Sequence, residues 1–166
     1  MNILYDVAAW GAFFMAVAGA GAALTGLVFV SITLNLQKIV GSARLVGRAE
    51  EAVLHLLSTV ILSLVCLMPG ISAKLTGIFV LILIIPTWIF LTDLHRRAYA
   101  EQKQENMRSF MSRFVPAQVA LVPIIISGIS LMAHGGGGLG WLAFGLMASV
   151  TVGVVDAWVL TIEIIR

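Results

Sequence analysis

Apolar positions along the chain come in five long runs, from about Trp10 to Leu36, Ala52 to Met68, Leu75 to Thr92, Phe114 to Ala133, and Trp141 to Ile165. A helix crossing a hydrocarbon layer needs about 20 such residues, and each run reaches or nearly reaches that length. The pattern predicts an all-α, polytopic membrane helical bundle of about five transmembrane helices, in a single domain over residues 1–166. Pro69-Gly70 separates the second and third runs, and a helix stop followed by a permissive turn predicts a tight hairpin there. Pro86 and Pro123, inside the third and fourth runs, each remove a backbone hydrogen bond and predict kinks. No Gly or Pro interrupts Thr87 to Val115, and its Ala, Glu, Gln, Lys and Arg residues favour helix. The third span is therefore expected to continue past the bilayer into a basic cytoplasmic helical hairpin at about 93–113. Tyr99, Phe110, Met111 and Phe114 lie among its arginines, which suits either a solvated hairpin or a segment resting on an anionic surface.

Charge turns the set of spans into an oriented one. With five spans, the connections at Gln37 to Glu51 and Asp93 to Arg113 share one face with the C-terminus. Of the ten Lys and Arg residues, that face holds Lys38, Arg44, Arg48, Arg96, Arg97, Lys103, Arg108, Arg113 and Arg166, and the other holds Lys74 alone. The positive-inside rule then predicts N-terminus out and C-terminus in. A four-span arrangement would split the two basic connections between opposite faces. Composition agrees with the class: 60% of residues are hydrophobic and 11% charged, and the mean hydropathy is +1.06, outside the range of soluble domains. The net charge of +2 is topogenic, so the expected partners are the lipid bilayer and the anionic headgroups of its cytoplasmic face, with no nucleic acid. The first run is expected to be retained, because Met1 to Ala9 carries Asp6 and no basic residue, unlike the start of a signal peptide.

Two sets of residues stand out within the spans. In the first, Ala12, Ala16, Gly19, Ala23 and Gly26 are spaced alternately by four and three and form a continuous small-residue seam along which backbones can approach. The seam either packs the bundle internally or joins first helices of several subunits in a homo-oligomer. The second set is polar. Asp156 lies ten residues before the C-terminus, about 15 Å along a helix, and Glu163 shares its face at i+7. Arg48, Glu51, His55 and Ser58 make one face of the second span polar at its cytoplasmic end, and Ser31 and Asn35 close the first. Given the orientation, His55 and Asp156 fall at comparable depth, with Glu51 and Glu163 expected at the mouth. A mid-membrane aspartate costs about 2.5–3.5 kcal/mol on insertion scales, so a partner is expected, and His55 or Arg48 could supply it. These groups either line an ion or proton path or form a satisfied polar layer that fixes helix register.

The remaining features are bland. Gly135 to Gly138 has no Lys-Ser/Thr after it and reads as a flexible outer hairpin rather than a phosphate loop. His55, His95 and His134 are not at metal-ligand spacing and are expected at different levels. Ser72 and Ser130 lie toward the outer face, away from His55 and Asp156, which disfavours a hydrolase. Cys66 is single and within an apolar run, and Trp10 and Trp141 suit interfacial anchors. No catalytic residue, cofactor or metal is expected, and the chain does not read as an enzyme.

Gly26-Leu27-Val28-Phe29-Val30-Ser31 running to Asn35-Leu36, Arg48-Ala49-Glu50, the glycines before Trp141, and Asp156-Ala157-Trp158-Val159-Leu160 leading to Glu163-Ile164 resemble segments of a widespread family of small bacterial integral membrane proteins. The resemblance covers nearly the whole chain and implies a multi-pass protein of the bacterial inner membrane, with no activity to transfer. The residues alone support an oligomeric protein lining a small-ion pathway, for a cation or proton, or a noncatalytic accessory or scaffold subunit of a larger membrane complex.

Overall fold

The computed structural model of the chain describes residues 3–101 and 107–165. Two 3-10 turns, Ile3–Tyr5 and Val7–Trp10, precede α1 (Gly11–Leu34), α2 (Leu36–Val40), α3 (Ala43–Cys66), α4 (Ala73–Glu101), α5 (Met107–Ala133) and α6 (Leu139–Ile165). No strand occurs among the described residues. Five helical segments are long and apolar enough to cross a membrane, Val7–Leu34, Ala43–Cys66, Ala73–Ala100, Phe110–Ala133 and Leu139–Glu163. Lys103 and Arg166 of the expected basic face, the centre of the 93–113 hairpin, and the side chain of Arg108 lie outside the described residues.

The first connection differs most from expectation. The connection at 37–51 is largely helical: α1 stops at Asn35, whose φ of −117° and ψ of 17° leave the helical region, and α2 follows at once. Then α3 begins at Ala43, well before the apolar run. An apolar criterion halts at Arg48 and Glu51, but the helix goes on because both side chains find partners inside the bundle. Neither Pro86 nor Pro123 ends its helix, and α5 also contains Pro116.

Four helices close into a ring in which α3 packs on α4, α4 on α5, α5 on α6 and α6 on α3, while α1 lies outside along α3 and touches α6 lightly. Glycines set the closest crossings. A Cβ on Gly77 of α4 would stand 2.6 Å from the Gly128 carbonyl oxygen of α5, and one on Gly153 of α6 would stand 2.8 Å from Leu56 of α3. The predicted seam of α1 is not among these contacts. Ala12, Ala16, Gly19, Ala23 and Gly26 are exposed, whereas Phe14, Ala18, Gly21 and Val28 are buried, and a Cβ on Gly19 or Gly26 would meet nothing within 4 Å. Internal packing by the seam is thus corrected: α1 is apolar all round, so its small residues do not reveal which face turns inward.

At the end of the bundle holding the Pro69 and glycine turns, the interior is apolar, built from Leu62, Cys66, Leu121, Ile124, Leu131, Leu142 and Leu146. The glycine turn there is tied down and is not the flexible hairpin the sequence suggested. Ser127 Oγ donates to the Gly138 carbonyl at 2.9 Å, the Gly138 amide donates to Ser130 Oγ at 2.8 Å, and the Gly137 amide donates to Tyr5 Oη at 3.2 Å. Gly138 has φ of +48° and no room for a Cβ beside the Leu4 carbonyl, so glycine is required twice over.

Candidate functional site

The opposite end of the ring encloses a network of charges. It begins with α3, whose N-terminal half places Arg44, Arg48, Glu51 and His55 on one face at helical spacings of three and four. Glu51, 1% exposed, is the tight node. Its Oε1 lies 2.7 Å from His95 Nε2 of α4, and its Oε2 accepts from Arg113 Nη2 of α5 at 3.0 Å. A second, looser node surrounds Arg48: Nη1 stands 3.6 Å from Asp156 Oδ1 of α6, and Nε stands 3.5 Å from Glu163 Oε2. Glu163 Oε1 also accepts from Arg44 Nη2 at 2.8 Å, at the exposed rim. Three arginines thus balance three carboxylates across α3, α5 and α6, with the His95 ring of α4 against one of them. Such balance offsets much of the cost of burying charge, and removing one partner would leave another uncompensated.

Most of the residues singled out in the sequence meet here, with two corrections of detail. Glu51 is no mouth residue but the most buried acid of the network, while Glu163 is indeed near the rim. Of the two partners expected for Asp156, the one it meets is Arg48, because α3 and α6 run antiparallel and the close crossing at Gly153 against Leu56 and Ala52 brings Asp156 level with the start of α3. Asn35 and Ser31 stay outside the network: Asn35 Nδ2 donates to the Ser31 carbonyl at 2.9 Å, and Ser31 faces a groove between α1 and α6.

Sequence reasoning missed His95 and Arg113 as members. His95, expected at a different level from His55, is 2% exposed and bonded to Glu51, one turn from His55 on α3. Only pairing across three helices reveals this, since Arg113 and His95 lie 62 and 44 residues from Glu51 in the chain. The rings that suggested a surface segment instead pack between α4 and α5: Phe110 stacks on Phe114 with centroids 5.3 Å apart, Tyr99 meets Phe110 at 4.9 Å, and Phe114 abuts the His95 ring edge to face. His134 lies at the far end, stacked on Tyr5.

A signal that was legible concerns the depth of the polar face. Glu51, His55, Thr59 and Ser63 recur every four residues, and all are buried at 1% or less. Four residues advance about 6 Å along a helix, so this column carries polar groups roughly 18 Å inward from Glu51. Thr59 Oγ1 donates to the His55 carbonyl at 2.8 Å. Both ring nitrogens of His55, the Ser63 and Ser149 hydroxyls, Thr92 Oγ1 and Asp156 Oδ2 have no protein hydrogen-bond partner. Buried polar atoms nearly always have one, so unpaired atoms are where water or an exchanging proton fits. The column stops against Leu62, Cys66, Leu142 and Leu146. Chemically the arrangement offers carboxylate, imidazole and hydroxyl groups in series. Among the described residues, no group of three or more His, Cys, Asp or Glu side chains could hold a metal ion.

In comparisons with known proteins, no family model, curated protein or solved structure matched the chain, so its class rests on its own residues: an all-helical protein with, among the described residues, five membrane-length apolar helices, four of which enclose a buried charge network.

Proposed function

We propose that the protein is an integral membrane protein that handles protons through the core of its own helical ring. The observation carrying this reading is His55, fully buried with neither ring nitrogen bonded, between the Glu51 node and the Thr59–Ser63 hydroxyls. Protons enter at the charged end, where Arg48 holds Asp156 and Glu163 only loosely, at 3.6 and 3.5 Å, and Glu163 reaches the rim. They pass Glu51 and His95 to His55, and the apolar half beyond Ser63 acts as the gate. The pathway therefore lies within one chain, although first helices of neighbouring copies could still associate through the outward seam of α1. That seam also favours a second reading, a noncatalytic subunit that docks a larger membrane complex through α1.

Reconstitution into liposomes with an entrapped pH-sensitive dye tests the proposal. Under an imposed potential, the wild-type protein is expected to carry protons above the empty-vesicle rate, and His55→Gln, which keeps a polar side chain of similar size, is expected to return the rate to that baseline. Wild-type flux at baseline, or full flux in His55→Gln, would overturn the proton-path reading. Copurification with one larger membrane protein at fixed stoichiometry would support the docking role instead.

A further inference from the structure

Beside the charge network, between α1 and α6, a groove of about 220 Å³ opens on the outer surface of the bundle. Leu24, Val28 and Ser31 form its α1 wall, and Ala157, Trp158 and Thr161 its α6 wall. Its lining is apolar apart from the two hydroxyls, and Trp158 stands 67% exposed at its edge. On α1 the lining positions follow a helical stripe, and the chain beyond Ser31 carries Leu34, the break at Asn35 and, on α2, Lys38. Those three residues line a second, polar hollow of about 470 Å³ at the corner between α1 and α2. The corner is seated on the groove floor, because Ile39 of α2 clusters with Leu160, which itself lines the groove. Arg44 reaches the same end, paired with Glu163 yet with a side chain 47% exposed.

An apolar slot along α1 and α6, with the half-polar hollow of the α1–α2 corner and the exposed cations Lys38 and Arg44 toward the same end of these helices, matches an amphiphile with an alkyl chain and an anionic head. We propose that this groove binds an anionic phospholipid, with one acyl chain between α1 and α6 and its phosphate at Lys38 and Arg44. The light contact between α1 and α6 leaves the chain room, and the Ser31 and Thr161 hydroxyls lie toward the head. A juxtamembrane Lys or Arg contributes about 1 kcal/mol toward an anionic surface, or about fivefold in affinity. The site does not depend on proton transport.

Native mass spectrometry of the purified full chain, with phosphatidylglycerol or phosphatidylcholine of identical acyl chains added to the detergent, provides the test. Retention of phosphatidylglycerol is expected to exceed that of phosphatidylcholine by roughly fivefold or more. The double variant Lys38→Gln, Arg44→Gln should erase the preference and keep residual binding. Ser31→Phe should fill the groove and lower retention of both lipids, whereas Val155→Phe, exposed on α6 outside the lining, should change neither. Equal retention of the two lipids by the wild type would mean ordinary solvating lipid and overturn the proposal. So would an undiminished preference in the charge variant or in Lys38→Gln alone, an exposed position whose substitution leaves the Arg44–Glu163 pair in place; neither arm requires Ser31→Phe to fold.

Discussion

The most consequential single residue is Glu51. Its carboxylate satisfies His95 and Arg113 at once from a site 1% exposed, so its removal leaves a guanidinium in the bundle without its counter-ion. Glu51→Gln is expected to cost about 3–5 kcal/mol of stability, measured by unfolding in mixed micelles. Arg113→Gln should cost a similar amount, and the double variant less than the sum, since the two charges form one pair. Strict additivity of the two losses would mean that they are not coupled. Asp156→Asn is expected to be milder, because Arg48 keeps Glu163 beside it and Asp156 makes no short bond to lose. His55 differs from all of these: with no protein partner for either nitrogen, His55→Gln should leave stability nearly unchanged while altering transport.

Among the elements, the helices divide by how their small residues are used. Gly77 and Gly128 allow α4 and α5 to touch backbone to side chain, so Gly128→Val should overpack that crossing and cost about 1–3 kcal/mol. Gly19 faces outward with free space around it, so Gly19→Ala should raise stability of the isolated chain by about 0.5–1 kcal/mol through helix propensity. A destabilised Gly19→Ala in the same unfolding assay would show that the outward face of α1 is covered in the protein as purified. The seam was visible in the sequence as a spacing, but its partner was not, because spacing identifies a face and only the neighbouring helices decide where that face points. The same limit applied to α3, whose early start was hidden by charges that a hydropathy run treats as boundaries.

For the whole molecule, two halves of one bundle have opposite characters. One end holds the buried charges and, among the described residues, every Lys and Arg but Lys74; the other is an apolar interior closed by tied turns. The imbalance of basic residues predicts that the charged end faces the cytoplasm. A reporter that is active only in the cytoplasm should therefore work when fused after Arg166, and one that needs export should work when fused before Met1. The reverse pattern would invert the entry side of the proposed path.

The sequence by itself determined the class, the five spans, the segregation of basic residues and a polar stripe on α3, because hydropathy and helical period act locally and are written in consecutive residues. It also marked Asp156, Arg48, Glu51 and His55. Only the tertiary structure decided who pairs with whom: that His95 and Arg113 converge on Glu51, that Arg48 rather than His55 meets Asp156, and that the small-residue seam of α1 turns outward. Those outcomes depend on the rotation and register of each helix against its neighbours, which are set by shape at glycine crossings and by charge balance across chain separations that no local pattern records.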